Sequence, residues 1–296
     1  SYDTPRSHDE PLVLGAGAAA VQGLLEKAAI KPERLVGLGL GIPGPVGPEA
    51  GVIKQCPNLH ELDGVAAVEI LQSEVGVPVF LGNDAFCATL EELRYGAGRD
   101  VENLVMLTLG TGVGGGIALD NKVRRGPRQI MGEVGHLIIE PNGPRCGCGN
   151  HGCLEAVVGR DGIVDRAIRL LEQGRKSVLE DQGGTDHERL TPKVIADAVR
   201  EGDEVARQVV QDTGYYVGLA LSDCIVLCEP DLILIGGGIA AAGDLLFETI
   251  RRTVRHRSQI SGFDVAKIVP AELGNKAGMY GAAAMAWEEL EGAGSA

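Results

Sequence analysis

The sequence predicts an α/β protein. Two observations carry this: short apolar runs suited to buried strands recur along the chain, and helix-like stretches fall between them. A third agrees with it. The 44 glycines come in short clusters rather than a fixed repeat, which points to tight backbone approaches and not to a fibre.

LVGLGLGI (35–42) reads as a buried strand ended by Pro-Gly-Pro, and VPVFLGND (77–84) as a second strand breaking into a helix from Ala85 to about Tyr95. NLVMLTLGTGVGGGIAL (103–119) reads as two strands joined by a glycine-rich turn. Helices are expected at 161–174, 192–200 and 203–222, with a polar loop over 175–190. DLILIGGG (231–238) is a strand that turns into a helix at about 243–257. The small residues of AGMYGAAAMAWEEL suggest a tightly packed last helix. No internal repeat is evident.

The 296 residues suit about two domains with a sizeable core, so folding needs no disulfides. A formal net charge of −14 argues against non-specific nucleic-acid binding and against an anionic membrane face. It does not argue against a nucleotide, whose phosphates a helix N-terminus can hold locally. No apolar run is long enough to span a bilayer and no basic-then-apolar leader opens the chain, so the expected address is the cytoplasm.

Seven cysteines in such a chain read as metal ligands or buried thiols. Cys224 and Cys228, four apart in an apolar run, read as thiols on the buried face of a helix. Cys146, Cys148 and Cys153 are different. Within GEVGHLIIEPNGPRCGCGNHGCLE (132–155) they make a C-x-C step and a third thiol beyond a tight turn. Zinc takes four tetrahedral Cys and His ligands. His151 and His136 both compete for the fourth place. His151, two residues from Cys153 in a tight turn, would strain to close the tetrahedron, so His136 is favoured.

The pattern G-E-x-G-H, nine residues, C-x-C-G-x-x-G-C-x-E resembles the ROK family (repressors, open reading frames and sugar kinases), and this version looks most like its bacterial glucokinase branch. The resemblance runs over nearly the whole chain and implies a two-lobed, actin-like (ribonuclease H-like) sugar kinase fold. The expected division is a small lobe over 1–100, to which the last helix (278–296) returns, and a large lobe over 101–277. It implies a structural Zn²⁺ on His136, Cys146, Cys148 and Cys153. It also implies that Glu133, His136 and Glu155 bond sugar hydroxyls, since carboxylate oxygens accept from O–H groups.

Asn83-Asp84-Ala85 matches the family's N-D-A step, which makes Asp84 the base for a sugar hydroxyl, with Asn83 contacting the sugar; helix capping is the competing reading. Asn58, in PNL, is expected on the sugar side. Gly110, Thr111 and Gly112 resemble the second phosphate loop of actin-like sugar kinases, and Gly236, Gly237 and Gly238 the adenosine-binding turn. Family members open with a strand ending in D-x-G-G-T, whereas this sequence begins SYDTPRSHDE, like the segment after that first hairpin, so the opening strands are expected to be missing. A literal D-x-G-G-T at Asp181–Thr185 follows no apolar strand and is read as a chance match.

The implied activity is an ATP- and Mg²⁺-dependent hexose kinase, a glucokinase acting on the 6-hydroxyl. The alternatives are the body of a sugar-sensing regulator and a kinase for N-acetylmannosamine, fructose or allose. Implied partners are a hexose, ATP and further copies of the chain in a homodimer or higher homo-oligomer, with no nucleic acid and no membrane.

Overall fold

A computed structural model describes residues 10–47, 51–56, 59–258, 266–274 and 277–294. The chain divides into two units. The first gathers the described residues of 10–94, 125–131 and 277–294; the second gathers those of 95–124 and 132–274. No motif in the sequence signals that 125–131 departs from its neighbours in this way.

The first unit is built on β1 (Leu38–Ile42) and β2 (Val79–Asn83), paired in parallel from Leu38↔Val79 to Ile42↔Asn83. A parallel pair needs a crossover, and α2 (Ala67–Val75) lies within it. Helix α1 (Glu10–Lys27) adds Leu14 and Ala18 to a core with Ile42, Ile53, Leu71, Val79 and Leu81. Neither α1 nor α2 is signalled by the sequence pattern. The middle of α1, GAGAAA, has weak helix propensity at its glycines and no large apolar side chain to mark a face. Helix α3 (Asp84–Tyr95) continues directly from β2.

The second unit carries a five-stranded sheet among its described residues. Its strands are β3 (Leu104–Leu109), β4 (Val113–Leu119), β5 (Lys122–Val123), β6 (Leu232–Gly236) and β7 (Lys267–Pro270), in the order β5–β4–β3–β6–β7. β3–β4–β5 is antiparallel, while β3, β6 and β7 run parallel. Leu104, Val105, Leu107 and Leu109 are all fully buried, so β3 is apolar but for Thr108 rather than alternating, as suits a central strand covered on both faces.

The helices of this unit are α4 (Leu154–Val158), α5 (Arg160–Glu172), α6 (Leu179–Gln182), α7 (Pro192–Arg200), α8 (Glu204–Cys228) and α9 (Asp244–Arg257). The last helix of the chain, α10 (Ala277–Gly294), lies in the first unit. Two expectations are corrected. Helix α8 does not stop at residue 222; burial of Cys224 and Ile225 carries it to Cys228, where Glu229 turns left-handed (φ 43°) ahead of Pro230. Residues 175–190 are not only loop, because α6 forms where Leu179, joined by Leu190, is fully buried in the core. Asp181 and Gln182 belong to α6, so the D-x-G-G-T string follows no strand.

Candidate functional site

In the first unit, Asn83 ends β2 and Asp84 begins α3. Asn83 Oδ1 accepts the amides of Ala85 (2.8 Å) and Phe86 (3.1 Å), while its Nδ2 donates to the Gly44 carbonyl (3.0 Å). Capping is therefore real here, and Asn83 performs it. Asp84 Oδ1 also accepts the Ala85 amide at 2.8 Å. Surrounding protein raises the Asp84 carboxyl above its ordinary value, with the Ala85 and Asp84 amides pulling the other way. A carboxylate tuned upward and open to solvent on one side is a serviceable base. Asn58 lies outside the described residues.

In the second unit, β4 leads through β5 and the crossing segment to a 3₁₀ turn, Val134–His136, which puts the imidazole beside a small hairpin. The hairpin is closed by bridges Ile138↔Cys153 and Arg145↔His151 and by the amide of Cys146 on the Asn150 carbonyl (2.8 Å). One ligand atom from each of His136, Cys146, Cys148 and Cys153 falls within 4.8 Å of all the others. Cys148 Sγ and Cys153 Sγ are 3.7 Å apart, and Cys146 Sγ is 3.7 Å from His136 Nδ1. Zn–S bonds of about 2.3 Å in a tetrahedron demand an S···S edge of about 3.8 Å, so these four residues fit that ion. His136 offers Nδ1 to the group, which leaves Nε2 for another partner. The His151 ring turns to the Gly143 carbonyl, 3.4 Å away, outside the group. Burial pushes the Cys146 thiol up to about 12, whereas the Asn150 amide pulls Cys148 down.

Helix α4 starts directly after Cys153 and carries Glu155. Its Oε2 accepts the Val113 amide at 3.1 Å and its Oε1 faces Cys146 Sγ at 3.7 Å. The structure thus brings Glu155, the cysteine group and the glycine turn together. Glu133 stands at the head of the His136 turn, its carbonyl accepting the His136 amide at 3.0 Å. In the turn itself, Gly110 N donates to the Gly112 carbonyl (2.9 Å), and the carbonyls of Gly110 and Thr111 both accept the Arg160 amide (3.2 and 3.1 Å). Among the described residues, the Thr111 and Gly112 amides donate to no backbone carbonyl, an arrangement that suits a phosphate. Gly236 closes β6, Gly237 takes φ 85° against the Leu109 backbone, and Gly238 begins a 3₁₀ helix, Gly238–Ala242. A side chain at 237 would collide with Leu109, so this turn stays bare beside the end of β3. The tie from Glu155 to Val113 is not signalled by the sequence, because the two are 42 residues apart.

The ROK family model matches residues 9–289. A glucokinase of Thermotoga maritima is 35% identical over 86% of this chain and 80% of its own length. The DNA-binding transcriptional repressor Mlc of Escherichia coli is 30% identical over 86% of this chain, but only 61% of its own. A ROK family glucokinase from Streptomyces griseus, solved with glucose and AMPPNP, superposes with a TM-score of 0.82 at 32% identity, covering 96% of this chain and 90% of that one. With the family motif assembled around one hairpin, and the match spanning almost the full sequence, the chain belongs to the ROK family and has its actin-like sugar kinase fold.

Proposed function

We propose that this protein is an ATP-dependent hexose kinase, a glucokinase that phosphorylates the sugar 6-hydroxyl. One observation supports the reading: the Asp84 carboxyl is raised above its ordinary value, in a chain whose Thr111 and Gly112 amides donate to no backbone carbonyl among the described residues. A regulator needs neither. Asp84 takes the proton from the 6-hydroxyl as the bond to phosphorus forms. Glu133, Glu155 and the Nε2 of His136 grip ring hydroxyls, with Asn83 and Asn58 beside the sugar. The Thr111 and Gly112 amides, the Thr111 hydroxyl and the bare turn at Gly236, Gly237 and Gly238 hold the nucleotide. Mg²⁺ bound with ATP supplies charge neutralisation on the transferring phosphoryl group.

A structural Zn²⁺ on His136, Cys146, Cys148 and Cys153 clamps the loop next to the sugar grip, and the 3.7 Å spacings support that ion. Relatives named glucokinase, one of them solved with glucose, support glucose as the sugar. Similarity to repressors favours a second reading, a sugar-binding regulator body. An ADP-release assay with ATP, Mg²⁺ and a panel of hexoses separates the two. Turnover selective for glucose is the expected result. A folded, zinc-loaded chain that binds a hexose and releases no ADP would leave the regulator reading standing.

A further inference from the structure

Helix α4 has five residues, too few to hold itself. At its two ends, Val157 N reaches the Cys153 carbonyl at 3.2 Å, and Gly159 N reaches that of Glu155 at 2.8 Å. At its head it follows Cys153, and the Leu154 amide donates to the Leu137 carbonyl at 2.9 Å. Its tail ends in carbonyls that the helix cannot satisfy. One of these, Val157 O, accepts Arg166 Nη2 at 3.2 Å. A cation at the end of a helix is favourable for the dipole as well as for the hydrogen bond.

Arg166 comes from α5 and is itself anchored to α8. Its Nη1 is 3.5 Å from Thr213 Oγ1, its Nε is 3.9 Å from Asp212 Oδ2, and its guanidinium lies over the Tyr216 ring at 5.3 Å. Thr213 gives its own proton to the Val209 carbonyl (2.8 Å), so its oxygen faces Arg166 as an acceptor. The side chain is only 11% exposed, and a guanidinium taken this far out of water is kept for what it bonds. Only a planar fork reaches a carbonyl, a hydroxyl and a carboxylate at once, which a lysine does not. Next to Cys153, the Glu140 amide donates to the Gly152 carbonyl at 3.2 Å. Helix α8 therefore braces the tail of the segment that carries Glu155, through Arg166.

We propose that Arg166 is a positioning residue for Glu155: it fixes the tail of α4 to α8 and so aims the carboxylate that grips the sugar. The functional half of this rests on the kinase reading. The test compares Arg166→Met and Arg166→Lys with the parent, all zinc-loaded. The hexose KM should rise by about 10- to 100-fold in Arg166→Met, the range for losing a charged hydrogen bond. The KM for ATP should rise by a smaller factor than the hexose KM, because the glycine turn has a second tie, the Arg160 amide, besides the one from Glu155 Oε2 to Val113. Arg166→Lys should fall between. Amide exchange over 152–158 should quicken while α8 keeps its protection.

An unchanged hexose KM in folded Arg166→Met, or equal rises in both KM values, overturns the proposal. Should the methionine variant not fold, Arg166→Lys decides by the same split. If the parent phosphorylates no hexose, the kinase reading fails on its own, and exchange over 152–158 decides for Arg166: unchanged protection in the variants overturns it.

Discussion

Glu155 Oε2 accepts the amide of Val113 at 3.1 Å, so the carboxylate beside the cysteine group also holds the first residue after the glycine turn. In the proposed kinase this one carboxylate would couple the sugar grip to the phosphate turn, and the glycines around it test that coupling.

A Cβ at Gly112 would stand 2.4 Å from Glu155 Oε2, the far end of a side chain, whereas one at Gly135 would stand 1.9 Å from the Val113 carbonyl oxygen, which is backbone. Gly112→Ala should therefore fold with a loss under about 1 kcal/mol while turning Glu155 aside, and Gly135→Ala should cost well over that. Thermal melts and hexose titrations check the pair. Normal hexose affinity in Gly112→Ala would remove Glu155 from the sugar site.

Asp84→Asn should bind hexose nearly as well as the parent and lose about 1,000-fold or more in turnover. In the parent, activity should fall as pH drops through the Asp84 value, and burial sets that value above 3.8. Turnover within about tenfold of the parent would disqualify Asp84 as the base.

Metal analysis should find one zinc per chain. Removing it with a chelator, or replacing Cys148 with Ser, should lower the melting temperature and the hexose affinity together, since a zinc there would tie Cys153, and hence the head of α4, to His136. A chelated protein with the same melting temperature and no bound zinc would refute a structural ion.

Glu91, on α3, is 1% exposed; burial first, opposed by the Gly281 amide and aided by neighbouring Glu92, pushes its carboxyl from 4.5 up to about 7. Between those values the folded chain keeps a proton that the unfolded chain has lost. Stability should therefore fall as pH rises from 4.5 to about 7 and then level off, by roughly 3 kcal/mol in total. Glu91→Gln should flatten that slope. Denaturant melts across this pH range decide it, and an unchanged slope in the variant would assign the effect elsewhere.

Features whose cause is local were legible in the residue order. Buried strands showed as nearly continuous apolar runs: β3 and β6 are covered on both faces, so no polar alternation dilutes them, and Thr108 is the one polar residue in β3. The C-x-C step and the short arm to Cys153 bring three thiols together within one hairpin. Asn83-Asp84 could be read either as a cap or as chemistry, and the fold divides the work, giving the cap to Asn83 and leaving Asp84 one committed oxygen. Helices α1 and α2 were illegible for the opposite reason: alanine and glycine set no apolar period, and nine residues are too few to establish one.

By itself, then, the sequence determined the α/β class, the family motif, the thiol group and the turns at Gly110–Gly112 and Gly236–Gly238, because each rests on neighbours in the chain. Tertiary structure alone decided that 125–131 leaves its surroundings, that Glu155 reaches Val113, and that Arg166 joins Val157 to Thr213 and Asp212. A hydrogen bond between residues 42 or 47 positions apart leaves no spacing rule behind. It exists only once the sheet and α8 have carried its ends into contact.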